Sequence, residues 1–178
     1  MNNVSVVEFN DLPVSLLGQV YAIYSNSFPP HEQRSAEQLA VALENNKHHF
    51  RVYLMNDKVL AILVYWKMRE YVYIEHFAVA EDQRGHGYGK NILQELFYEM
   101  AKYPLILEID PINTDVSKKR CEFYTQLGFV INNCPHKHPA YKEGLEPHEL
   151  IILSYQKELT PTLLKTFIKE LNNEVMNI

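Results

Sequence analysis

Arg84-Gly85-His86-Gly87-Tyr88-Gly89 sets three glycines in alternation, directly after an apolar run and directly before an amphipathic one. The first turn of a helix carries unpaired N–H groups and a partial positive charge, and glycine lets an anion approach that backbone closely. Such a turn suits a phosphate or pyrophosphate; it would equally serve a plain strand-to-helix turn that needs glycine only for its dihedrals. It is neither the Gly-x-x-x-x-Gly-Lys-Ser/Thr pattern nor Gly-x-Gly-x-x-Gly, since the third glycine comes one residue early. Upstream, Glu75 and His76 are the ionisable residues of the apolar run Tyr71–Ala80. Glu75 reads either as a general base or as a paired structural carboxylate, and His76 has the opposite strand parity and is expected against the other face. Downstream, Tyr124 precedes Leu127-Gly128-Phe129, and by itself reads as a core tyrosine on a helix. Cys134, His136 and His138 alternate and offer zinc-type ligands, but a fourth ligand at motif spacing is lacking, so a polar loop and no metal is the expectation.

The elements that must position these residues follow from periodicity. Tyr71–Ala80 is apolar on both parities, the pattern of a strand buried on both faces. Ile92, Leu93, Leu96, Phe97 and Met100 form one stripe of a helix beginning near Gly87. Before them come a strand over Val4–Phe9, a helix carrying Leu16 to Tyr24 that must stop ahead of Phe28-Pro29-Pro30, and a short helix opened by the capping box Ser35-Ala36-Glu37-Gln38. His48–Met55 and Val59–Met68 read as a hairpin around Asn56-Asp57-Lys58. After the glycine turn come a strand over Leu105–Ile109, a helix capped by Asn113 or Thr114 and ended by Gly128, a strand from Phe129, a polar loop over Asn132–His148 and a closing strand over Glu149–Tyr155. Thr160-Pro161 then starts a last helix with an apolar stripe of Leu163, Leu164, Phe167, Ile168 and Leu171. That stripe must pack on its own domain or on a second copy of the chain, as a homodimer. The fold class is mixed α/β: one domain, its core about residues 3–155, with a helical extension over 160–173.

Arg84, Gly87 and Gly89 fill the Arg/Gln-x-x-Gly-x-Gly/Ala signature of the GCN5-related N-acetyltransferase (GNAT) superfamily, and Glu122–Phe129 is similar to the helix that ends in Tyr-x-x-x-Gly-Phe in that superfamily. The two motifs lie in the family's order, and the chain resembles it over about residues 3–155. The resemblance implies a central, mostly antiparallel twisted sheet flanked by helices. It implies acetyl-CoA as cosubstrate, with the backbone of Phe77, Ala78 and Val79 on the pantetheine arm. The amides of Arg84, Gly85, His86, Gly87, Tyr88, Gly89 and Lys90 would hold the pyrophosphate. It makes Tyr124 the general acid facing the departing sulfur and Glu75 the candidate base. Ser117 stands where relatives often have an asparagine that touches the pantetheine arm. Phe28, Glu32 and Arg34, in Ser27–Arg34, resemble an acceptor-side entrance loop. The expected activity is N-acetyl transfer to a primary amine of a small molecule or peptide by direct attack; the alternative is an inactive acyl-CoA-binding regulatory module of the same fold.

Composition narrows the partners. The 178 residues carry a net charge of −5 at a sequence pI near 5.9, without a Lys/Arg block, which excludes the electrostatic footprint of a nucleic-acid binder. No stretch approaches the ~20 apolar residues of a membrane span, and the first ten residues lack signal-peptide character, so a cytoplasmic protein with two reduced cysteines, Cys121 and Cys134, is expected. The acidic balance, with Tyr24, Phe28, Tyr53, Trp66 and Tyr141 as a candidate aromatic wall, points to a cationic amine. Arg34 points the other way, toward an acceptor that also carries a carboxylate.

Overall fold

A computed structural model describes residues 4–142 and 144–178. The strands β1 (Val4–Glu8), β2 (His48–Met55), β3 (Lys58–Lys67), β4 (Val72–Val79), β5 (Leu105–Ile109), β6 (Phe129–Ile131) and β9 (Ile151–Tyr155) form one sheet in the order β1-β2-β3-β4-β5-β9-β6. The residue pair β7 (Lys137–His138) and β8 (His148–Glu149) makes a second, two-stranded sheet within what the sequence presented as a plain loop. Helices α1 (Leu17–Ser27), α2 (Ala36–Glu44), α3 (Tyr88–Glu99), α4 (Asp115–Gln126) and α5 (Pro161–Glu170) cover the sheet. Among the described residues no helix is long and apolar enough to cross a membrane.

Local chemistry sets most boundaries. Asn56 and Asp57 take φ of 51° and 60°, the left-handed pair of a two-residue hairpin turn between β2 and β3. Ser35 and Gln38 close the expected capping box on α2, and Thr160 caps α5 with Pro161 in its first turn. Three apolar clusters fill the spaces between layers. One joins α3 and α4 to Leu63, Tyr65, Ile74 and Leu107; the second joins α1 and α2 to Phe50, Ile62, Val64 and Ala78. The third resolves the question of the last helix: Phe167, Leu171 and Val175 pack on Trp66, Tyr71, Tyr73, Ile106 and Ile152 of the chain's own sheet.

His48, on β2, lies in this frame with its ring edge-on to Trp66 at 5.0 Å, and among the described residues neither ring nitrogen has a hydrogen-bond partner. Burial pushes it down to about 4 from an ordinary 6.5, against the pull of Glu75. The unfolded chain therefore takes this proton first: the contribution is complete above pH 6.5, declines as pH falls, and is lost below about 4. Between those limits His48 should cost about 3 kcal/mol of stability. Urea denaturation of wild type and His48→Phe from pH 7.5 to 4 should show the variant's stability falling less; parallel curves would sink the assignment.

Two features of the sheet position the site. Among the described residues β4 and β5 are its one parallel pair, and they pair over Val72–Ile74 with Leu105–Leu107. Beyond that point β5 continues with β9 while β4 runs on to Val79 paired only to β3, so the two strands splay apart. The second feature is a β-bulge: Val64 pairs with His76 and Tyr65 with Ile74, leaving Glu75 as the extra residue.

Candidate active site

The splay opens a cavity of about 710 Å³ whose walls are β4 from Tyr73 to Val79, the end of β5, the glycine turn and the inner face of α4. Along one wall the edge of β4 past Ile74 has lost its strand neighbour, which leaves backbone N–H and C=O groups free to pair with an extended ligand. Phe77, Ala78 and Val79 lie on that edge, and Gln83, Arg84, Gly85, Gly87, Tyr88, Gly89 and Lys90 continue the lining into the first turn of α3.

Gly87 is the N-cap of α3 at φ 81°, and Gly85 sits at φ 80°, both in the left-handed region closed to most side chains. A Cβ at either would meet nothing within 4 Å, so the space beside the backbone is open. Among the described residues no side chain caps the helix there, which leaves its first N–H groups at the cavity end unclaimed. Arg84 sends Nε to the Val79 carbonyl at 3.0 Å and Nη2 to the Ser27 hydroxyl at 3.2 Å, tying the turn to the ends of β4 and α1. His86 lies outside the cavity lining, with Nδ1 3.3 Å from the Gln83 carbonyl.

Tyr124, on α4, lines the same cavity. Phe123 and Phe129 pack edge-on to its ring at 5.2 and 5.7 Å, and burial pushes the phenol up to about 12 despite the opposing charge of Arg120. Among the described residues its hydroxyl has no hydrogen-bond partner.

The acceptor end departs from the sequence reading in several places. The bulge reverses the parity beyond it, so Glu75 and His76 both face the α1–α2 side of the sheet rather than opposite sides. His76 donates from Nε2 to the Glu32 carbonyl at 2.8 Å and packs against Tyr24 and Phe28. Glu75 is fully engaged: Arg34 Nη2 lies at 2.7 Å, and Trp66 Nε1 and the Tyr141 hydroxyl donate to it at 2.8 and 3.1 Å. Burial would raise this carboxyl, but Arg34, the His76 and His48 rings and the Trp66 N–H outweigh it and hold it at about 2. A carboxylate so acidic and so fully paired is a poor proton acceptor, which corrects its role as base.

Arg34 is corrected with it. Its guanidinium is buried, lies between the Trp66 and Tyr141 rings at 5.7 and 5.3 Å, and donates to the Val175 carbonyl at 2.8 Å. It does not line the cavity and cannot orient an acceptor carboxylate. The aromatic wall is accordingly not a substrate wall: Trp66 and Tyr141 hold the protein's own cation, Tyr53 packs in the α3–α4 cluster, and of the five rings only Phe28 and Tyr141 line the cavity. Ser117 is the third correction, since it closes a capping box with Thr114 at the start of α4, both hydroxyls engaged, and is absent from the lining.

Glu32 does line the cavity, as expected of the entrance loop, with Phe28 beside it. Burial, with Asp110 and Glu108 repelling and Arg120 opposing, pushes its carboxyl up to about 7. Glu108 and Asp110 of the β5 end also line this part, a placement that nothing in their local sequence signals. Glu108 is bound by the Tyr73 hydroxyl at 2.6 Å and pairs with His136, while Asp110 pairs with Arg120. His136 and His138 both approach Glu108, whereas Cys134 packs in the α5 cluster, so the alternating trio does not converge.

The sequence pattern of the Acetyltransferase (GNAT) family matches residues 17–129, more than half of the chain, including β4, the glycine turn and α4. The chain belongs to the GNAT family. A structure from Bacteroides thetaiotaomicron that carries the name of a GNAT-family acetyltransferase superposes with a TM-score of 0.86 at 25% identity, covering 99% of each chain. A GNAT structure from Elizabethkingia anophelis, solved with acetyl-CoA bound, superposes with a TM-score of 0.59 at 19% identity over 89% of this chain and 100% of that one, a likeness of fold. YjbC of Bacillus subtilis, which carries the name of an acetyltransferase, is 25% identical over 111 residues; the match spans 61% of this chain and 55% of YjbC. In this GNAT-family chain the glycine turn, the splayed strands and Tyr124 meet at one cavity.

Proposed function

We propose that the protein is an acetyl-CoA-dependent N-acetyltransferase acting on a primary amine of a small cationic molecule. One observation carries the reading: a free strand edge, an unclaimed helix N-terminus and a tyrosine all open onto the same cavity. The strand edge suits the amide-bearing pantetheine arm and the helix terminus the pyrophosphate. The E. anophelis structure, which shares the fold, carries acetyl-CoA. At the other end Glu32, Glu108 and Asp110 crowd one another, and a cation bound among them would relieve that repulsion.

In the reaction the neutral amine attacks the thioester carbonyl, the C–S bond breaks, and the thiolate of CoA leaves as the amine sheds its proton to water. An alkylamine of pKa near 10.4 is free about once in 2,500 molecules at pH 7, a penalty of roughly 4–5 kcal/mol. Tyr124, held at about 12, lies some 3.5 units above a thiol of about 8.5, so full proton transfer to sulfur would run uphill by roughly 5 kcal/mol. Its role is therefore to donate a hydrogen bond to the developing thiolate.

Free-thiol release from acetyl-CoA across polyamines, lysine-like amines, amino acids and peptides tests the reading. Cationic amines should react fastest; release with anionic acceptors alone, or with none, would overturn it. Tyr124→Phe should lower kcat on the best amine about 100-fold with little change in acetyl-CoA affinity. An unchanged kcat would return Tyr124 to the core.

A further inference from the structure

At the mouth of the cavity, where the entrance loop meets β8, three side chains converge that the mechanism above does not use as a set. His31 Nε2 lies 3.7 Å and His148 Nε2 3.9 Å from the same oxygen, Oε1 of Glu32. All three ligand-type atoms fall within 4.8 Å of one another. We propose that His31, Glu32 and His148 form a binding site for a divalent transition metal of the zinc type.

Geometry is the first support. Bonds of about 2.0–2.1 Å to tetrahedral zinc put its ligands about 3.3 Å apart. The two separations from Glu32 exceed that by about half an ångström and the two imidazoles lie within 4.8 Å of each other, gaps that rotation of the exposed His31 side chain can close. His31 is the ligand able to move, its side chain being 49% exposed. Glu32 is held: His76 bonds its carbonyl, its own N–H reaches the Pro29 carbonyl at 2.9 Å, and the Gln33 side chain ties the turn to the Phe28 carbonyl at 2.6 Å.

The second support is independent of spacing. Nε2 of His148 is shut off from solvent and has no hydrogen-bond partner among the described residues, although it is directed at this cluster. A buried ring nitrogen without a partner is costly, and a metal bond would satisfy it.

The ligand set selects the ion. Two imidazoles and one carboxylate suit zinc, cobalt, nickel or copper, while magnesium and calcium call for an all-oxygen shell of six or more. Three protein ligands leave a position for water, and since Glu32 and His148 line the cavity the ion would sit in its wall.

The test is titration of metal-stripped protein with Co²⁺ alone, read by its visible absorption, and with Zn²⁺ alone, read by calorimetry. One equivalent should bind with the intense bands of four-coordinate cobalt, and Mg²⁺ should give no signal. His31→Ala, at an exposed position that leaves the fold intact, and His148→Ala should each weaken binding at least about tenfold. Absence of uptake would overturn the site, as would uptake that survives both histidine variants or disappears only in Cys134→Ser. No acetyl-CoA or amine is present, so a failed titration leaves the acetyltransferase reading standing, and an inert thiol assay leaves the metal test standing.

Discussion

Glu75→Gln should lower the unfolding free energy by about 3–5 kcal/mol, the usual cost of removing one partner from a buried ion pair. The variant leaves the Arg34 guanidinium buried between Trp66 and Tyr141 without a counter-charge, its Nε and Nη1 already lacking partners among the described residues. For a domain of this size the loss corresponds to a fall in Tm of roughly 10 °C. The double variant Glu75→Gln/Arg34→Met should recover part of it, because the unpaired charge is gone. A single-variant loss below about 1 kcal/mol would show that the pair is not closed off from water. The catalytic readout separates this role from that of a base. The pH profile of kcat/KM should keep its wild-type shape in the variant, whereas a base would be missed most at neutral pH and least at high pH.

Gly87→Glu should weaken acetyl-CoA binding about 1,000-fold, roughly 4 kcal/mol, by putting a carboxylate beside the pyrophosphate position at the N-terminus of α3. The space there is open, so the side chain itself meets no wall. The residue must still hold φ near 81°, which an L-residue does at a cost of about 1–2 kcal/mol. Gly87→Asn, which tolerates that conformation without the charge, isolates the electrostatic part: its affinity should fall far less. Calorimetry on both folded variants gives the comparison. Equal affinity in Gly87→Glu and wild type would remove the phosphate from this helix.

The acidic cavity end and the metal trio bear on each other. A metal held at the proposed site by Glu32 would stand where the proposed cationic amine enters, so metal content belongs among the controlled variables of any acceptor screen.

What the sequence determined by itself was everything encoded within a few neighbouring residues. The alternating glycines ahead of an apolar stripe specify the helix terminus that faces the cavity, because glycine conformation and 3.6-residue periodicity are local properties. The Asn56-Asp57 turn, the Ser35–Gln38 box and the Thr160-Pro161 start are local in the same way. The motif, rather than physics, singled out Tyr124, which the structure places on the cavity wall, since a lone tyrosine on an apolar helix face is ordinarily core. What only the tertiary structure decided depends on register and on partners far apart in the chain. One extra residue in β4 turned Glu75 from a candidate base into the counter-ion of Arg34, because a strand's period of two makes facing reverse at every bulge. Arg34 in turn answers to Val175, 141 positions away. His148 meets Glu32 across 116 residues for the same reason. Long-range pairs are created by packing, and no spacing in the sequence records them.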